Sequence, residues 1–68
     1  MSNLKEWRER LGLTTPQMAR YVGVSYFTWK SWENGSRKPN KAGERLVQVL
    51  QMVEVMAPTV HDTLVGEV

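Results

Sequence analysis

Side chains that favour helix starts and glycines that favour helix ends alternate along this chain at short intervals. The starts fall at Asn3, Thr14, Ser25 and Asn40. The ends fall at Gly12, Gly23 and Gly35, because glycine readily adopts the left-handed conformation that closes a helix. No strand pattern of comparable strength and no repeat is present. The spacing therefore predicts an all-α fold of four or five short helices.

The length and composition allow one domain. The 68 residues suffice for a single modest core, so residues 1–68 are expected to form one unit. There is no cysteine, so neither a disulfide nor a thiolate metal site can stabilise so small a fold. Helix packing, with or without oligomerisation, has to supply the stability. No signal-peptide pattern is present, nor the roughly 18 apolar residues of a membrane span. We expect a soluble cytoplasmic protein with no membrane contact.

The sequence allows two starting points, one residue apart, for the second helix. Thr14 and Gln17 have the spacing of a capping box, in which each side chain bonds to the backbone amide of the other. Alternatively, Thr15 is the cap and Pro16 takes the first helical position, where proline is favoured. In either case the inward side of this helix is made of Met18, Ala19 and Val22.

The third predicted helix carries four of the six aromatic residues of the chain. At about 100° per residue, Trp29 and Trp32 fall on one side of it. The opposite side is polar apart from two rings, and it is made of Tyr26, Phe27, Lys30, Ser31 and Asn34. We expect the two tryptophans to be core residues and the opposite side to face a partner.

Only four residues, Val22 to Ser25, join the second and third helices. This is the spacing of a helix-turn-helix, with Ala19 at the close crossing, Gly23 in the turn and Trp29 locking the helices together. Several short segments around this unit are also informative, and they are Leu13-Thr14, Met18-Ala19, Val24-Ser25, Thr28, Trp32-Glu33-Asn34-Gly35 and Arg37-Lys38-Pro39. Together, over about residues 3–40, these segments resemble the phage repressors and Cro proteins of the lambda-repressor-like or XRE-type family.

The resemblance implies a compact five-helix domain, usually a homodimer, that lays its third helix in the major groove of a pseudo-palindromic double-stranded DNA operator. It implies base contacts by Tyr26, Phe27, Lys30 and Ser31. It implies phosphate contacts by Thr15, Gln17, Asn34, Ser36, Arg37, Lys38 and Lys41. The chain departs from the family in its two outward aromatics, in Trp29, which replaces a branched aliphatic residue, and in a longer fourth helix.

The charge distribution agrees with a polyanionic partner. Residues 20–45 hold six basic and two acidic side chains, whereas residues 46–68 hold three acidic side chains and no lysine or arginine. A basic middle and an acidic end indicate one face for nucleic acid and a different role for the C-terminal part.

The fourth helix is predicted over about residues 41–56, with Asn40 as its cap. Its inward stripe is expected to be Leu46, Val49, Leu50, Val53 and Met56. Val47 and Met52 widen the apolar arc to roughly 220°, interrupted by Glu54. An arc this wide predicts a second hydrophobic neighbour, and the alternatives are a centrally buried helix or a few scattered exposed valines.

The tail, residues 59–68, fits either a short helix or a strand through residues 63–65. The helix, opened by Thr59, is favoured because Asp62 near its start agrees with the helix dipole. We predict that the tail and the fourth helix form the dimer interface. Its residues are expected to be Val47, Met52, Val55, Leu64 and Val65.

Two functions compete at this level. The first is a dimeric transcriptional repressor, an autoregulator of a phage or mobile element. The second is an antitoxin-like protein-interaction module, with Tyr26 and Phe27 as interface anchors. An enzyme is poorly supported, because His61 is the only histidine, has no second metal ligand at motif spacing, and is expected at the surface or a helix start. We expect no cofactor, no metal and no small-molecule substrate.

Overall fold

The computed structural model describes residues 3–68, and these residues form five α-helices and no strand. The prediction of an all-α fold is confirmed. The helices are α1 (Leu4–Leu11), α2 (Thr15–Val22), α3 (Tyr26–Asn34), α4 (Lys41–Met56) and α5 (Pro58–Gly66). The closest packing is between α2 and α3 and between α4 and α5. The chain is thus built as two helix pairs with α1 beside them.

The predicted caps form, and they decide where α2 begins. The Thr14 hydroxyl accepts the Gln17 amide at 3.3 Å, and the Gln17 side-chain oxygen accepts the Thr14 amide at 2.9 Å. Thr14 is therefore the cap, and the alternative cap at Thr15 is wrong. The other predicted caps each accept the amide three residues on, and they are Asn3, Ser25 and Asn40. Each such cap contributes about 1 kcal/mol of stability.

The three tryptophans line up through the domain. Trp29 is fully buried, and its ring centroid lies 6.3 Å from Trp7 and 6.1 Å from Trp32, in edge-to-face arrangements. Trp32 is half-buried, and its ring covers Gly43 in the first turn of α4. The inward side predicted for α3 is confirmed. The wider core consists of Leu4, Trp7, Leu13, Met18, Ala19, Tyr21, Val22, Trp29, Val47 and Leu50.

The inward face of α4 is rotated from the predicted stripe. Val49 is 44% exposed and Met56 is 76% exposed, so neither belongs to the core, whereas Val47 is only 5% exposed. Two contacts explain the rotation. Gly43 turns inward because Trp32 packs on it, and Glu54 turns inward because it accepts a hydrogen bond from the Trp7 indole at 3.2 Å. Polar Glu54 therefore marks the inner face that the apolar pattern alone did not reveal.

The tail is the helix α5, so the strand alternative is wrong. It begins at Pro58 rather than at a Thr59 cap, because proline suits the first helical position. Of the two positions expected for His61, the helix start is confirmed, because His61 lies in the first turn of α5, and the surface is wrong, because its ring is buried. His61 Nδ1 lies 3.1 Å from the hydroxyl of Tyr21, and the two rings meet edge to face. This pair attaches α5 to α2, and Tyr21 supplies the polar partner that a buried histidine needs.

Candidate nucleic-acid interface

The α2–α3 pair has the geometry of a helix-turn-helix. Gly23 adopts φ 89°, a left-handed conformation that suits glycine, and its amide donates to the Ala19 carbonyl at 2.8 Å. The Val24 amide donates to the same carbonyl at 3.0 Å. Ser25 then caps α3. The chain turns within these few residues, and the buried ring of Trp29 belongs to the same core cluster as Met18, Ala19 and Val22 of α2.

A largely buried carboxylate on the inward side of α3 links this helix to α1. Glu33 Oε1 accepts the Trp29 indole at 3.1 Å and Arg8 Nε at 2.6 Å. Arg8 also donates to the Leu13 carbonyl at 3.0 Å. The sequence patterns did not assign Arg8 or Glu33 a role, because a contact between residues 25 positions apart leaves no local periodic signal. These two residues connect α1 to the inward side of α3.

Three side chains on the outer face of α3 form one contiguous unit. The rings of Tyr26 and Phe27 meet edge to face, with centroids 5.3 Å apart and an interplanar angle of 81°. Lys30 Nζ donates to the Tyr26 hydroxyl at 3.3 Å and lies 5.6 Å from the centroid of that ring. Phe27 is 79% exposed. The structure thus brings together three of the four predicted base-contacting residues and presents them outward.

Ser31, the fourth predicted base-contacting residue, is half-buried. Its hydroxyl donates to the Thr28 carbonyl at 2.8 Å, so its proton is occupied within the helix while its oxygen can still accept. Its carbonyl accepts the Arg37 amide at 3.2 Å. Ser36 donates from its amide to the Asn34 side chain at 2.9 Å. These bonds tie the loop that follows α3 to the end of the helix.

The basic loop, residues 36–39, lies directly beside α3. A shallow groove is lined by Thr28, Trp32, Arg37, Lys38 and Asn40. On its other side the loop meets the start of α1 in a second groove, which includes Asn3 and Leu4. The sequence did not predict that α1 begins next to this loop. Arg37 and Lys38 are both exposed, so their charges are available at the edge of the outer face of α3.

The remaining predicted phosphate contacts lie at two other helix starts. Gln17 is engaged in the capping box through its side-chain oxygen and its backbone amide, and Pro16 has no amide hydrogen. What this end can offer a phosphate therefore comes from Thr15 and from the side-chain NH2 of Gln17. Lys41 is exposed at the first position of α4. Within residues 3–68, no side-chain hydrogen bond connects these residues to the unit on α3.

A family model described as a helix-turn-helix domain matches residues 2–60. This span contains the whole α2–turn–α3 unit and reaches into α5. The chain belongs to the helix-turn-helix domain family. The helix-turn-helix is a DNA-binding unit, and α3 is its second helix in this chain. No curated protein and no solved structure matched the chain.

Two further properties concern other kinds of site in this helix-turn-helix domain. In the part of the chain that the structure describes, no group of three or more histidine, cysteine, aspartate or glutamate side chains is arranged to hold a metal ion. No helix over residues 3–68 has the length and apolar character needed to cross a membrane. The exposed features that offer binding chemistry are the outer face of α3, the basic loop and the apolar side chains of α4.

Proposed function

We propose that this helix-turn-helix domain is a sequence-specific transcriptional regulator that inserts α3, its recognition helix, into the major groove of an operator. The observation that carries the proposal is the outward unit of Tyr26, Phe27 and Lys30. It projects from a helix whose opposite side is buried through Trp29. A rigid helix with an exposed face of mixed chemistry is the form in which major-groove readers present their side chains.

The side chains of the outer face have complementary capacities for base recognition. Lys30 has three donors, of which one is used on Tyr26, so it can donate to guanine O6 and N7. The Tyr26 hydroxyl can donate as well as accept, and the Ser31 oxygen can accept. These contacts provide sequence choice, since the pattern of donors and acceptors in the major groove differs for each base pair.

Phosphate contacts would supply the affinity and fix the orientation on the duplex. Arg37 and Lys38 extend from the loop that is hydrogen-bonded to the end of α3, so the groove face and the cationic edge form one surface. The other residues that we assign to phosphates are Thr15, Gln17, Asn34, Ser36 and Lys41. The concentration of positive charge in residues 20–45 supports this assignment.

We further propose that the domain acts as a homodimer on a pseudo-palindromic site, as a Cro-type repressor or autoregulator of a phage or mobile element. A set of exposed apolar side chains, called the patch below, supports the dimer, and it consists of Val49, Met52, Val55, Met56 and Val60. Met52, Val55 and Met56 line one groove. Burying it against a second copy would remove this apolar area from water. Leu64 and Val65 are half-buried against the core of their own chain, so they can only flank the contact. Val47, a predicted interface residue, is buried in the core of its own chain and therefore lies outside the proposed interface.

Selection of bound sequences from a random duplex pool tests this function. We expect an enriched motif with two inverted half-sites, whose centres are one helical turn or a multiple of it apart, as in other two-fold symmetric dimers. A pool that remains random after several rounds would exclude sequence-specific binding. A single half-site without an inverted repeat would exclude the dimer on DNA and retain the base-reading role of α3.

A further inference from the structure

We propose that Phe27 reads the C5-methyl group of thymine, so that thymine is the base class chosen at its position in each half-site. This inference rests on the proposed function. It starts from an unusual placement. A large apolar side chain stands 79% exposed at the second position of α3, where the first residues of a recognition helix meet base edges.

The chemistry of the ring leaves one partner in the major groove. A phenyl ring has no hydrogen-bond donor or acceptor, so it gains nothing from the N and O atoms that distinguish most base edges. The thymine methyl is the apolar feature that the groove presents, and apolar side chains contact it in known readers. Cytosine carries a hydrogen in place of this methyl group, and adenine and guanine present N7 and a polar exocyclic group, so none of the three offers Phe27 an apolar group of this size.

The neighbours of Phe27 hold the ring in position. Tyr26 meets it edge to face at 5.3 Å, and the Tyr26 ring is in turn oriented by Lys30, which donates to the Tyr26 hydroxyl at 3.3 Å. An aromatic side chain also has only two rotatable torsions to immobilise. The entropic cost of holding the ring against a methyl group is therefore small, and an interaction of modest energy can still contribute to sequence choice.

The experiment uses the duplex selected by the wild-type protein. Each thymine is replaced in turn by deoxyuridine, which removes the methyl group and leaves every hydrogen-bonding group in place. The dissociation constant is measured for each duplex by fluorescence anisotropy. We expect one symmetry-related thymine per half-site at which the replacement weakens wild-type binding about fourfold, as the removal of one buried methyl group predicts.

The variants Phe27→Ala and Phe27→Leu identify the side chain that is responsible. Phe27→Ala should bind the duplex with thymine at that position and the duplex with deoxyuridine there with the same dissociation constant. Phe27→Leu should retain part of the preference for thymine. Because Phe27 is exposed, neither change should alter folding, which circular dichroism verifies. If no thymine is sensitive, or if the sensitivity persists in Phe27→Ala, the inference is overturned while sequence-specific binding stands.

Two other roles for the ring give different results. If Phe27 inserts between base pairs, Phe27→Ala loses affinity and DNA bending while no deoxyuridine duplex differs from its parent. If Phe27 is instead an anchor for another protein, Phe27→Ala binds every duplex like the wild type. Either result overturns the inference. If selection enriches no sequence at all, the proposed function fails and this inference fails with it.

Discussion

Glu33 lies on the inner side of α3, and its carboxylate is 2.6 Å from the Nε atom of Arg8 in α1. The two side chains are only 12% and 15% exposed. The same carboxylate oxygen accepts the indole N–H of Trp29. One acidic group therefore joins α1 to α3 and accepts a hydrogen bond from the buried ring of Trp29.

Replacing Glu33 with glutamine should destabilise the domain by about 2 kcal/mol, because the substitution leaves the largely buried Arg8 without a counter-charge. Urea unfolding followed by tryptophan fluorescence measures the change. Glu9→Gln is the matched control, since Glu9 is exposed on α1, and it should stay within about 0.5 kcal/mol of the wild type. Equal unfolding midpoints for the two variants would show that the Arg8–Glu33 pair does not stabilise the fold.

Gly43→Ala should also destabilise the domain, by about 1 to 3 kcal/mol, although alanine is the better helix former. A Cβ atom at position 43 would lie 2.8 Å from Cη2 of Trp32 and 3.2 Å from Cβ of Pro39, so the core would have to move. Gly66→Ala in α5 is the control, because a Cβ there meets nothing within 4 Å. It should raise the free energy of unfolding by about 0.5 kcal/mol. A stabilising Gly43→Ala would refute the close approach of Trp32.

The local features of the fold could be predicted from sequence because they depend on neighbours along the chain. The four side-chain caps, the turn at Gly23 and the division of the α3 aromatics each follow from spacings of a few residues. The outward placement of Tyr26, Phe27 and Lys30 follows from the same helical geometry.

The orientation of α4 and the burial of His61 could not be predicted in this way. Val47 is inward and Val49 outward because of Trp32 on Gly43 and Trp7 on Glu54, contacts that involve residues distant in sequence. His61 is buried because Tyr21, forty positions earlier, supplies its partner. A helical wheel records which residues are apolar but not which polar groups will find partners inside. Tertiary contacts decided both cases.

Glu54 should make stability depend on acid pH. Hydrogen bonds from Arg10 hold the pKa of Glu54 below its ordinary value of 4.5, with a smaller contribution from the Trp7 indole and with partial burial acting in the opposite sense. A carboxyl group whose pKa falls on folding stabilises the native state above its unfolded pKa. That contribution disappears as the pH falls through the folded pKa.

The free energy of unfolding of the wild type should therefore exceed that of Glu54→Gln at pH 7, and the difference should shrink below about pH 4. Urea titrations of both proteins at pH 7, 5, 4 and 3 measure it. In Arg10→Ala, as in Glu54→Gln, the free energy of unfolding should depend less on acid pH than in the wild type, because Arg10 is the main cause of the lowered pKa of Glu54. A wild-type advantage that stays constant from pH 7 to pH 3 would contradict this role of the ion pair.

Val55→Glu should dissociate the proposed homodimer. Val55 is 79% exposed in the single chain, so the charge should not disturb the fold, but burying it at an interface would raise the dimer dissociation constant at least tenfold. Sedimentation velocity at micromolar concentration measures this change. Lys5→Glu, at an exposed position of α1, is the control and should remain dimeric. A wild type that is monomeric both free and on DNA would rule out the dimer and favour another protein, as in the antitoxin-like hypothesis, as the occupant of the patch.

Substitutions of two lysines test the proposed base recognition and the proposed phosphate binding separately. Lys30 belongs to the outer face of α3, whereas Lys38 lies on the basic loop beside it. Lys38→Ala should weaken binding to all duplexes alike. It should also reduce the slope of the logarithm of the binding constant against the logarithm of salt concentration, by about one unit for each phosphate that the variant no longer neutralises. A Lys38→Ala variant that changed sequence preference instead would show that the loop reads bases.

The most direct test of base recognition by α3 compares the affinity for the selected operator with the affinity for a shuffled duplex of the same composition. Fluorescence anisotropy measures this ratio of affinities for the wild type and for Lys30→Ala. We expect a large ratio for the wild type, and a ratio about 5- to 150-fold smaller for Lys30→Ala, equivalent to about 1 to 3 kcal/mol of discrimination. An undiminished ratio in Lys30→Ala, or equal affinities of the wild type for the two duplexes, would contradict recognition through the outer face of α3.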